Sequence, residues 1–458
     1  QYLLNLQMKS EIKNILSVSP IDGRYSSITE SLSNYFSEYA LIKYRVYIEI
    51  EYFIELTEIP LKNLKDISTK NKEDIRMIYK NFSVENALQV KEIEKKINHD
   101  VKAIEYFIKE EFEKINLGNF KEFIHFGLTS QDINNTAVPL MLKDGLKDIL
   151  IPSYKDLINN LEDFSNRTKN IPMVARTHGQ AATPTTFSKE IQVFEERLKE
   201  QLNNLSIIPN NGKFGGASGN LNAHYISYPE VGWNNFANKF LDRIGLKRSN
   251  PTTQIEHYDN MAAIFHNLSR INTILIDFCR DIWHYISINY LIQKTNKKEV
   301  GSSAMPHKVN PIDFENAEGN LMLANSQYIF YAEKLPISRL QRDLTDSTVS
   351  RNIGIPISHT KIAIDSILKG ISKLDINKNV IEKDLDENWA IISEAIQTIL
   401  RREGISKPYE LLKDLTRGNQ EINKKTFLDF IEKLPVDNNI KEELKLITPH
   451  NYLGNSIK

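Results

Sequence analysis

"IFHNLSRINTILIDFCRDIWHY", residues 264–285, places an apolar residue at alternating steps of four and three: Ile264, Leu268, Ile271, Leu275, Phe278, Ile282 and Tyr285. That seam is the mark of a helix packed lengthwise on other helices. Ile274, Ile276, Trp283 and Ile286 widen the apolar surface beyond one stripe, so partners are expected on more than one side. Neither glycine nor proline occurs between Pro251 and Gly301. This predicts one helix of ~45 residues, near ~70 Å at about 1.5 Å per residue. Such a rod needs partner helices along its whole length, from its own chain and from other copies.

Neighbouring segments agree. Residues 187–207 carry Ile191, Phe194, Leu198, Leu202 and Leu205 on one helical face, bounded by Pro184 and Pro209. Residues 132–168 read as helical, with kinks or breaks near Pro139 and Pro152. Alternating strand-like patterns are few and short. The expected fold is all-α, with a central bundle of long helices. Breaks at "INLGNF" (115–120) and "LKGISKLDINKN" (368–379) divide the chain into an N-terminal helical domain (1–118), a central bundle domain (119–368) and a C-terminal helical domain (369–458).

With 58 basic and 59 acidic residues the net charge is −1, so neither a nucleic-acid surface nor a membrane surface is expected as partner. The single cysteine, Cys279, lies among apolar residues in "ILIDFCRD" and reads as a buried thiol. No uncharged apolar run reaches the ~18 residues of a membrane span. The start, "QYLLNLQMKSEIK", has no basic region ahead of its apolar patch and makes a poor signal peptide. The chain is expected to be cytoplasmic.

Five stretches resist a purely structural account: "SPIDGRY" (19–25), "NHD" (98–100), "HFGLTSQD" (125–132), "ARTHGQ" (175–180) and "GSSAMPHKVNP" (301–311). Each alone also has an ordinary reading. Asp22-Gly23 makes a turn; Asn98 caps the following helix, with Asp100 at its positive end; Thr129, Ser130 and Asp132 are capping types; His178 beside Gly179 is a loop histidine. Together they put hydroxyls, an amide, imidazoles and cations at helix ends, where N–H groups converge on anions. "RDLTDSTVSR" (342–351) adds Arg342, Ser347 and Arg351, either a solvated helix face or two guanidinium forks and a hydroxyl suited to a phosphate. The ten histidines are scattered without H-E-x-x-H spacing. "GKFGGASGN" (212–220) fits neither a P-loop nor a dinucleotide fingerprint and is read as a tight turn or a binding loop. No metal site and no organic cofactor are expected.

The loop "GSSAMPHKVNP" resembles the signature of the fumarase/aspartase superfamily, whose members eliminate fumarate, or a close analogue, from a succinyl-bearing substrate. "SPIDGRY", "NHDVKAIEYF", "HFGLTSQDINNTA", "RTHGQAATPTT", "TTQIE" and "RDLTDSTVSRN" narrow the resemblance to the branch that acts on succinylated purine nucleotides. It runs from about Ser19 to "KPYELLKDLTRG" (407–418). The loop alone also suits argininosuccinate lyase, fumarase or another fumarate-releasing lyase, and a non-catalytic helical scaffold is a further alternative. The resemblance implies a homotetramer on a core of long helices, with each active site built from three subunits. It also implies release of fumarate from N6-succinylated AMP and from the succinylated aminoimidazole carboxamide ribotide.

Residue roles follow from the same resemblance. Ser302 is the base and His178 the general acid, an imidazole being suited to proton transfer near neutral pH. Lys308 and Asn310 stabilise the charge that builds on the substrate carboxylate. Thr129, Ser130, Thr177 and Gln254 hold the succinyl carboxylates. Glu315 orients His178, and His99 stands in the same pocket with Asn98, Asp100, Ser303 and Asn316. Arg24, Tyr25, Arg342, Ser347 and Arg351 anchor the phosphate. The loop moves to admit the nucleotide and then exclude water.

Overall fold

A computed structural model describes residues 12–294, 308–418 and 422–456. The architecture is mainly helical, as the periodicity predicts. The helices that carry the site and its supports are α1 (Glu38–Leu56), α2 (Val84–Ile97), α3 (Asp100–Lys114), α4 (Ser130–Gly145), α5 (Ile151–Arg167), α6 (Phe187–Ile207), α7 (Asp259–Ser287), α8 (Ile312–Lys334), the short α9 (Thr345–Ser350), α10 (Gly354–Lys373) and α11 (Lys378–Glu387). Among the described residues the strands form three small pairs: antiparallel β1 (Pro172–Thr177) with β2 (Gln180–Thr186), parallel β3 (Asn211–Gly212) with β4 (Lys247–Arg248), and antiparallel β5 (Leu291–Gln293) with β6 (Leu374–Ile376).

Helix α7 is 29 residues long, about 43 Å at 1.5 Å per residue and shorter than the absence of glycine and proline predicts. Tyr258 and Asn289 adopt left-handed backbone (φ 63° and 60°) at its two ends. Leu291–Gln293, apolar enough to continue the seam, pairs with Leu374–Ile376 instead. Tertiary strand pairing outweighs local helical preference there. Helix α6 covers the range its apolar face predicts. Pro139 sits inside α4. The five residues Leu146–Leu150 form a widened π-type turn just before Pro152, which has no N–H to donate to the preceding turn.

The chain divides into two compact units. One comprises the residues through Tyr154 with Gln201–Thr273 and Gly319–Asp365; the other comprises Lys155–Glu200, Ile274–Glu318 and the chain from Ser366 on. In the first, Phe53 of α1 meets Phe112 of α3 edge-on at 4.9 Å, and Tyr52 is buried against Phe214, Phe236 and Phe240. A buried polar chain threads its helix bundle. Tyr154 Oη donates to Asn272 Oδ1 (3.3 Å), Asn272 Nδ2 donates to Thr360 Oγ1 (3.0 Å), and Tyr328 Oη lies 3.2 Å from that hydroxyl. A polar chain paired in this way favours one register of the helices over slipped ones. In the second unit Phe194 and Phe314 pack on Phe278 at 5.4 and 6.4 Å. A side chain at Gly370 would collide with the Phe314 ring.

Candidate active site

In the first unit, α2 stops at Asn98, whose left-handed backbone (φ 53°) lets its N–H reach Glu94 O. His99 is extended and opens α3: its Nδ1 accepts the Lys102 N–H at 3.0 Å. This corrects the expectation that Asn98 caps α3. With Nδ1 accepting, the neutral His99 ring carries its proton on Nε2. Asp100, first residue of α3, accepts the Val101 N–H through Oδ1 (2.9 Å). Its Oδ2 receives Arg45 Nη2 (2.8 Å) and Arg351 Nη2 (2.7 Å). Burial alone would raise the Asp100 carboxyl; the Arg45 guanidinium, the Val101 N–H and Arg351 outweigh it and bring the pKa down to about 2.

Arg45 is 3% exposed and also donates from Nε to Asn134 Oδ1 (2.9 Å). Arg342 Nη2 donates to Ser347 Oγ (2.9 Å), which also receives Gln131 Nε2 (3.2 Å). Arg351 Nη1 donates to Ser347 O (3.2 Å). Asn98, His99, Asp100, Ser130, Arg342, Ser347 and Arg351, scattered over 254 positions of sequence, thus line one cleft of about 340 Å³. Ser19 and Asp22 of "SPIDGRY" share a neighbouring cavity of about 230 Å³ with Arg351. Arg24 is exposed, its guanidinium carbon 5.9 Å from the centre of the Tyr25 ring.

Thr129 and Ser130 begin α4, where Asp132 Oδ2 accepts the Thr129 N–H (2.8 Å) in a capping box. The expected capping role and a place beside the cleft therefore coexist. Gln254 Nε2 donates to Ala217 O (3.0 Å) in the glycine-rich loop.

The second unit holds the other predicted groups. His178 and Gly179 are the two central residues of the β1–β2 hairpin, both left-handed (φ 52° and 74°), between paired Thr177 and Gln180. That sign pattern suits a type I′ turn and leaves His178 at an exposed tip. The stem is anchored: Arg176 donates through Nη2 to Asp384 Oδ2 of α11 (2.6 Å) and through Nη1 to Tyr290 Oη (3.0 Å). Tyr290 in turn donates to Asp384. Burial, then the Asp384 carboxylate, push the Tyr290 hydroxyl up to about 12, so it stays a donor. Glu315, in the first turn of α8, accepts the Trp283 indole N–H (3.1 Å). Lys308 is exposed; Asn310 and Asn316 are half-buried. Ser302 and Ser303 lie outside the described residues.

Arg45, Gln131, Lys213 and Arg176 escape the sequence reading. A signal for Arg45 did exist: a guanidinium amid the apolar run "YALIKYRVYIEIEYFIEL" has to meet a carboxylate. Among the described residues no group of three or more His, Cys, Asp or Glu side chains is placed to hold a metal ion. Cys279 is buried as expected, and burial pushes its thiol well above the usual range.

Residues 23–325 match the family model described as Lyase. The fumarate lyase of Mesorhizobium sp. BNC1 shares the fold, with a TM-score of 0.71 at 17% identity over 93% of this chain and 95% of its own. Residues 338–453 match the model described as Adenylosuccinate lyase C-terminal. Adenylosuccinate lyase of Dictyostelium discoideum is 56% identical over 97% of each chain, and that of Escherichia coli K12 is 45% identical over 98% of each. The chain belongs to the adenylosuccinate lyase family.

Proposed function

We propose that the chain eliminates fumarate from adenylosuccinate to leave AMP, and from the succinylated aminoimidazole carboxamide ribotide to leave the free carboxamide, in purine nucleotide synthesis. The reading rests on the cleft of Arg342, Ser347 and Arg351 in a chain of this family. Asp100 does not spoil that cleft for an anion, because buried Arg45 already balances its charge. Arg342 faces Asp346 at 3.6 Å, so the three arginines and two carboxylates leave one net positive charge for a phosphate.

In this reading Ser302 removes the proton from the succinyl carbon beside a carboxylate. The electron pair becomes the new carbon–carbon double bond, the carbon–nitrogen bond breaks, and the departing nitrogen takes a proton from His178. Lys308 and Asn310 stabilise the charge that builds on the carboxylate. Thr129, Ser130, Thr177 and Gln254 hold the carboxylates, Glu315 orients His178, and His99 stands beside the leaving nitrogen with Nε2–H available. Asn98, Asp100, Ser303 and Asn316 complete the pocket; Arg24 and Tyr25 assist the phosphate anchor.

The working form is a cytoplasmic homotetramer whose sites draw on several copies. Two observations support this. Met322, Leu323, Ile329 and Phe330, on one side of α8, are 44–53% exposed, an apolar strip that isolated chains rarely display. His178, Glu315 and Lys308 are exposed on the single chain. Incubation with adenylosuccinate is expected to release fumarate and AMP in equal amounts. Fumarate from argininosuccinate instead, or none, would refute the assignment.

A further inference from the structure

Asp132 and Lys213 are both fully buried and meet at 2.7 Å, Lys213 Nζ on Asp132 Oδ1. The carboxylate takes much more than the ammonium. Oδ1 also accepts the Gly215 N–H (2.8 Å), Oδ2 accepts the Thr129 N–H (2.8 Å), and the Gly216 N–H lies 3.1 Å from each oxygen. Lys213 Nζ donates again to Gly216 O (2.6 Å). One carboxylate therefore gathers N–H groups from two chain segments some eighty residues apart. One is the α4 start bearing Thr129 and Ser130; the other is the loop 213–220.

That loop reaches further. Gly216 and Gly219 are left-handed (φ 73° and 82°), and a side chain at Gly219 would strike the Thr252 carbonyl oxygen at 2.1 Å. The loop thus lies directly on residues 252–253, and Ala217 O takes the side-chain N–H of Gln254. A continuous path runs from Thr129 through Asp132, Gly215–Gly216 and Ala217 to Gln254. An apolar pair of similar volume is often as stabilising as a buried ion pair, so stability does not by itself account for two buried charges here. A carboxylate that fixes several N–H groups at once does.

We infer that the Asp132–Lys213 pair is a positioning element that sets the distance between Thr129–Ser130 and Gln254, the two sides of the succinyl pocket. The inference rests on the roles given to those three residues above. Neither partner needs to touch substrate; both act through the loop.

The test uses the full-length protein and the double variant D132N/K213M, which leaves no lone buried charge, with Q254A made alone and added to it. Far-UV circular dichroism and oligomeric mass are expected to be unchanged. The kcat/KM for adenylosuccinate should fall about 10–10²-fold, the reach of a displacement near 1 Å. AMP affinity should fall less, because the α4 start meets the phosphate cleft only through Ser130 and Gln131. Q254A should then cost only a few-fold more in the double variant, far less than in the native chain. A folded double variant with native kcat/KM, or losses that simply multiply, overturns the inference. Native activity in Q254A alone overturns instead the placing of Gln254 at the substrate, so the two failures are told apart.

Discussion

Arg351 divides its guanidinium between Asp100 and the Ser347 carbonyl, while Arg342 donates to the hydroxyl of the same serine. Arg351→Ala should raise KM for adenylosuccinate and the Kd of AMP by tenfold or more, with a smaller change in kcat, because phosphate binding is shared by ground and transition states. His178→Ala should instead lower kcat by about 10²–10⁴-fold, with circular dichroism unchanged because the side chain is exposed. Initial-rate kinetics on the two variants separate these roles. His224 gives a prediction about stability. It is fully buried, its Nε2 beside Tyr52 Oη (2.9 Å), and burial holds its pKa down to about 4. The unfolded chain takes up that proton near the ordinary value of 6.5, the folded chain only near 4. Its contribution is therefore complete above about pH 6.5 and lost as the pH falls toward 4, on the order of 3 kcal/mol in all. The urea midpoint should fall between pH 7 and pH 4.5, and His224→Gln should flatten that fall.

The β1–β2 hairpin shows how an element presents a residue. Its turn needs left-handed backbone at both central positions, which glycine tolerates and other residues resist. Gly179→Ala meets no steric obstacle, so its cost is backbone strain alone, about 1 kcal/mol. Lower kcat with little change in KM is expected from a less well held His178. At this level the sequence was uneven. Helix α6 and the seam of α7 were legible because apolar spacing is local information. The ends of α7 were not, because they depend on left-handed residues and on pairing with a segment eighty residues further on. The "NHD" stretch was recognised as a helix junction, yet which residue closes α2 and which opens α3 depends on φ at Asn98 and His99. Lys213 was hidden because nothing local marks a lysine whose carboxylate lies in another segment.

For the whole molecule, the seven cleft residues from Asn98 to Arg351 could be grouped only through resemblance, since their proximity arises when α2, α3, α4 and α9 come together. Position in the chain alone carries no sign of it. In the proposed homotetramer the apolar strip of α8 lies between copies, so Phe330→Glu should shift sedimentation toward smaller species and lower specific activity together. The same assembly predicts complementation. In the proposed mechanism Arg351→Ala removes the phosphate anchor and His178→Ala the acid on the hairpin, and each alone should be nearly inactive at low substrate. Unfolded together in equal amounts and refolded, the two should recover about a quarter of native activity, since a site built across copies pairs an intact cleft with an intact hairpin in one combination of four. A mixture that assembles fully yet stays as inactive as its parents would contradict a site shared between chains.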